Sequence, residues 1–96
     1  MIKHIVMFRL EGEGTAEAAK SFKEAIEALP AAIPQLKSAE VGLDLGEIAG
    51  NWNIVLTAEC DNTDDLATYS AHPAHLACVA IIKPLIAARA CVDYKC

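Results

Sequence analysis

The 96-residue chain is predicted to adopt an α+β fold of the ferredoxin-like βαββαβ type, from the order in which two periodicities alternate along it. Four segments alternate apolar and polar residues with the period of two expected of strands, and two others carry apolar residues at helical spacing. Glycine, proline, asparagine or aspartate separates them. In this topology two helices cover one face of a four-stranded antiparallel sheet.

The first strand is IKHIVMFRL, with Ile2, His4, Val6, Phe8 and Leu10 on one face and Lys3, Ile5, Met7 and Arg9 on the other. EGEG ends it, and Thr15 is expected to cap a helix on which Phe22, Ile26, Leu29 and Ile33 form the apolar stripe. Pro30 and Pro34 place the end or a kink of this helix near Leu29. The second strand is read over Leu36 to Gly46, with Lys37, Ala39, Val41, Leu43 and Leu45 on one side, and the third within NWNIVLTAEC. Asn62 or Thr63, followed by Asp64 and Asp65, opens a second helical region that runs to about Ile82 and is interrupted at His72-Pro73. RACVDYKC supplies the closing strand.

With helices on one face only, the other face of the sheet keeps apolar residues, which marks an association surface. A homodimer through that open sheet face, with two-fold symmetry, is expected. Two separate cores would leave each half near the ~40-residue limit for independent folding, so residues 1–96 are read as one domain. A net charge of −5 with only eight Lys and Arg argues against nucleic acid or an anionic membrane as partner. The N-terminal segment has no secretory apolar core, and nothing approaches the ~18 apolar residues of a membrane span. A cytoplasmic protein is therefore expected. Cys60, Cys78, Cys91 and Cys96 form no CxxC pair or zinc knuckle; the first three lie among apolar neighbours and read as small hydrophobes, and Cys96 as exposed.

The reactive side chains concentrate in TYSAHPAHLACV, Thr68 to Val79. Pro73 disfavours helix for His72 and suits the first position of a new helix, so the stretch restarts a helix. On it, His75, Cys78, Val79, Ile82 and Ile86 fall on the buried side, while His72 sits at the restart, where it caps or meets solvent. A buried histidine is either satisfied by a protein carbonyl or hydroxyl, or is a neutral base facing a ligand. His4, on an apolar strand face, poses the same choice. Tyr69 is either a core aromatic or a donor to a ligand carbonyl. His72, His75 and Cys78 could approach one ion, but Pro73 disturbs their spacing and no carboxylate accompanies them, so no metal is expected. No nucleophile in triad order and no phosphate loop is visible.

IKHIVMFRL, VGLDL, YSAHPAH and CVDYK together resemble the stress-responsive A/B barrel (Dabb) family over nearly the whole chain. The resemblance implies a ferredoxin-like protomer pairing into a dimeric α+β barrel, with a small-ligand cavity between sheet and helices. Many members have no assigned activity, so the resemblance implies no particular reaction. Around His-Pro-x-His the chain is also similar to a plant enzyme of the family, olivetolic acid cyclase, which works without cofactor or metal. That similarity implies Tyr69 as a holder of a thioester carbonyl and His75 as the base in a lyase-like cyclisation of a keto compound. It further implies His4 and Asn53 as ligand-contacting positions, Asn53 standing where the enzyme has a histidine; His72, at the helix restart, is a further ligand-binding candidate.

Overall fold

Alternation settles β1 (Ile2–Leu10): Ile2, His4, Val6, Phe8 and Leu10 are all buried, whereas Met7 and Arg9 are exposed. The computed structural model describes residues 1–96, and in it β1 is followed by α1 (Thr15–Glu27), β2 (Ser38–Leu43), β3 (Ile54–Cys60), α2 (Thr63–Ala71), α3 (Pro73–Ile82) and β4 (Ile86–Lys95). The sheet order is β2-β3-β1-β4 with every neighbouring pair antiparallel, the arrangement expected from the βαββαβ order.

Both helical regions lie on the face that carries His4, Val6 and Phe8. Phe22 and Ile26 of α1 are fully buried, and Phe8 meets Phe22 edge-on at 5.7 Å between ring centres. Pro30 sits in a short 3₁₀ turn, Leu29–Ala31, through which Leu29 and Ile33 continue the buried stripe. Thr15 does not cap α1. Gly14 occupies that position at φ 77°, a conformation that favours glycine, and Thr15 is already the first helical residue, so its hydroxyl takes no capping role. Asn62 does cap α2, its side-chain oxygen accepting from the Asp65 N–H at 2.8 Å.

Two boundaries differ from expectation. β2 is shorter than Leu36 to Gly46, because Asp44 folds the chain into a turn by accepting from the Gly46 N–H and the Asn51 side chain. Leu45, expected to continue the side of Val41, is therefore 85% exposed. Ile86 is not on the stripe of Ile82: Pro84 sits in a 3₁₀ turn, Lys83–Leu85, and Ile86 is the first residue of β4.

The uncovered face carries Ile5, Met7, Val55, Val92 and Tyr94. Val55 lies opposite Met7, Ile5 opposite Val92 and Lys3 opposite Tyr94. Val92 is 64% and Met7 42% exposed. At the β2 edge, the outward N–H of Val41 donates to the Glu27 carboxylate (3.0 Å) and its carbonyl accepts from Lys23 (2.7 Å), so α1 side chains occupy the edge that a further strand would need. No helix is long and apolar enough to cross a membrane.

Candidate functional site

The break between α2 and α3 brings three of the predicted residues together. His72 leaves helical geometry at ψ 134°, as a residue before proline should, and its Nδ1 accepts from the Ala74 N–H at 3.0 Å. It is thus the N-cap of α3, and Nδ1 is committed to that task. Pro73 follows as the first helical residue and turns His75 toward the sheet.

Tyr69 is fully buried in the last turns of α2 with two imidazoles near it. His75 lies at 4.5 Å between ring centres and 51° between planes, and His4 meets the phenol edge-on at 6.4 Å. The Tyr69 hydroxyl is buried and has no hydrogen-bond partner in the protein. A buried hydroxyl left in this state costs about 1–3 kcal/mol. Burial, reinforced by the nearby Cys60 and Cys78 thiols, pushes its pKa far above that of a free phenol, so it can act only as a neutral donor at ordinary pH.

The half-buried His75 ring donates from Nδ1 to the Ser70 carbonyl at 2.9 Å, which leaves the Nε2 lone pair free. Burial lowers its pKa; the Ser70 hydrogen bond opposes that shift, while the charges of His4 and Arg89 add to it. The ring is therefore a neutral base at neutral pH. His4, also buried, donates from Nδ1 to the Asp93 carboxylate across the β1–β4 pair. A carboxylate behind an imidazole fixes its tautomer and orientation.

Asn53 does not join this cluster. It precedes β3 at the other end of the sheet, where its side-chain oxygen accepts from the Leu10 N–H at 2.7 Å and its backbone N–H donates to the Phe8 carbonyl at 3.0 Å. There it borders a cavity of about 290 Å³ between the first turn of α1 and the β2–β3 connection, and another of about 460 Å³ beside Met7 and Trp52. Neither cavity is lined by His4, Tyr69 or His75. A cavity between α1 and the sheet thus lies at the Asn53 end, away from the His4–Tyr69–His75 cluster. His72, His75 and Cys78 form no ligand set either.

The family model for the stress-responsive A/B barrel domain matches residues 2–96. The chain belongs to that family. Two solved relatives of this A/B barrel chain are dimeric proteins of unknown function with a ferredoxin-like fold. The one from Bacteroides fragilis is 44% identical, with TM-score 0.90 over 99% of this chain and 95% of that one. The one from Thermobifida fusca is 39% identical, with TM-score 0.85 over 99% and 90%. A Dabb family protein from Mesorhizobium loti shares the fold at 22% identity and TM-score 0.73, over 99% and 95%. No curated protein matches the chain.

In this A/B barrel protomer two polar neighbours of His4 escape a reading of the sequence alone. Asp93 is its carboxylate partner, and Cys91, expected to be a small hydrophobe, has Sγ 3.5 Å from His4 Nδ1 and 3.6 Å from Asp93 Oδ1. The signal for both is indirect. The fold sets β4 beside β1, and alternation along β4 then turns Cys91 and Asp93 to the side of His4.

Proposed function

We propose that this A/B barrel protein is a homodimer, paired through its open sheet face, that binds a small oxygen-bearing molecule at the Tyr69–His75 cluster with His4 beside it. The observation that carries this reading is the Tyr69 hydroxyl, a donor held fully buried without an acceptor. A ligand carbonyl would supply the acceptor and recover the desolvation cost.

His75 favours a second reading, a cofactor-independent lyase or cyclase acting on a small keto compound. Its free Nε2 and lowered pKa suit a general base. In that step Nε2 takes the proton from the carbon beside the ligand carbonyl, the C–H electron pair becomes the enolate, and the Tyr69 hydroxyl donates to the enolate oxygen.

The test is a ligand screen over keto acids, polyketide thioesters and aromatics, by native mass spectrometry and thermal shift, on wild type, Tyr69→Phe and His75→Ala. Ligands are expected to bind wild type and to be lost or weakened at least tenfold in both variants. Unliganded Tyr69→Phe should gain about 1 kcal/mol, because the removed hydroxyl makes no hydrogen bond. A Tyr69→Phe protein that loses stability and binds every hit as well as wild type would falsify the assignment of this cluster.

A further inference from the structure

The polar cluster on the β1–β4 ladder brings three different donor atoms close together. His4 Nδ1, Cys91 Sγ and Asp93 Oδ1 lie within 4.8 Å of one another, on two strands whose register holds His4 opposite Asp93 and Val6 opposite Cys91. We propose that His4, Cys91 and Asp93 form a site for a divalent transition-metal cation, zinc by donor chemistry, with three protein ligands and a fourth position open. The inference does not rest on ligand binding at Tyr69.

The two sulfur edges agree with the size of such an ion. Zinc binds thiolate sulfur at about 2.3 Å and imidazole nitrogen or carboxylate oxygen at about 2.0–2.2 Å, so a tetrahedron built on these lengths has sulfur-to-nitrogen and sulfur-to-oxygen edges of about 3.5 Å. The sulfur edges here are 3.5 Å to His4 and 3.6 Å to Asp93. The third edge is the direct His4–Asp93 hydrogen bond; the ion takes the place of its proton, which moves to Nε2 so that the imidazole stays neutral, and the two atoms separate. Asp93 has room to do so, since its side chain is 44% exposed. The same exposure gives an entry path and a solvent-facing fourth position.

A mixed nitrogen, sulfur and oxygen set selects zinc or a neighbouring first-row ion over magnesium or calcium, which take all-oxygen sites. Thiolate and carboxylate neutralise a dication, and neutral imidazole completes the set. The Arg89 guanidinium beside Cys91 favours an anion such as hydroxide or carboxylate as fourth ligand. All three ligands stand on paired strands, so their backbone positions are set before the metal arrives.

The test uses the full chain carrying Cys96→Ser, which removes the exposed thiol, stripped with chelator and titrated with zinc by calorimetry and with cobalt by absorption. One ion per protomer is expected, with a thiolate-to-cobalt charge-transfer band. Cys91→Ser should abolish that band. Asp93→Asn, which can still hydrogen-bond to His4 and preserves the fold, should weaken zinc about tenfold or more. Tyr69→Phe should leave metal binding unchanged, which separates this site from the ligand cluster. Absence of stoichiometric binding by folded wild type, or a charge-transfer band that survives Cys91→Ser, overturns the proposal.

Discussion

His75 has a depressed pKa in the folded protein, with burial the largest cause, and this has a definite sign in stability. The unfolded chain takes up its proton near the ordinary histidine value of about 6.5, while the folded chain resists it. Between the unfolded and folded pKa values the unfolded state binds more protons, so stability should fall as pH drops below about 6.5 and level off once the folded ring is charged. Urea midpoints from pH 5 to 8 for wild type and His75→Asn check this: the variant should lose the His75 share of the slope, and identical profiles would remove His75 as its source. At this scale the sequence was only partly legible. An inward His75 and a capping His72 follow from where Pro73 falls, since proline dictates the backbone of its neighbours. The partners of His4 do not, because Asp93 and Cys91 meet it only through strand register.

The Lys23–Glu27 pair shows how α1 and β2 depend on each other. Both side chains sit one helical turn apart on α1 and reach the two outward backbone groups of Val41, and these hydrogen bonds hold the Glu27 pKa below its ordinary value. Glu27→Ala should cost about 1 kcal/mol by freeing the Val41 N–H. It should also expose the β2 edge, so light scattering of the variant on heating should rise earlier and more steeply with concentration than that of wild type. A variant that matches wild type in both would show the clasp to be incidental. Most elements were readable at this level because each carries local chemistry: the alternation of β1, the Asn62 cap of α2, the proline that opens α3. Where the sequence misled, a neighbouring conformation prevailed over a good propensity signal, as when Gly14 took the cap position from Thr15. Leu45 likewise kept strand-like alternation after Asp44 had already turned the chain.

For the whole molecule, the proposed pairing through the open sheet face is open to a direct test, and two solved relatives are themselves dimeric. Met7, Val55 and Val92 lie near the middle of that face, with the β2 edge already occupied by α1. A lysine at Met7 or an aspartate at Val92 should therefore convert the proposed dimer to a folded monomer, read by size-exclusion chromatography with light scattering at micromolar concentration and by unchanged far-ultraviolet dichroism. A dimer that withstands Met7→Lys together with Val92→Asp would place the interface elsewhere. The β1–β4 ladder has a temporal consequence as well. Ile2 pairs with Lys95, so β1 cannot gain its second neighbour until β4, the far end of the fold in sequence, has been made. Such distant pairing carries a high loop-closure cost and slows folding. Because β4 also brings Cys91 and Asp93 to His4, the polar cluster is assembled in the closing step, and a nascent or truncated chain lacking that strand has a sheet without its chemistry.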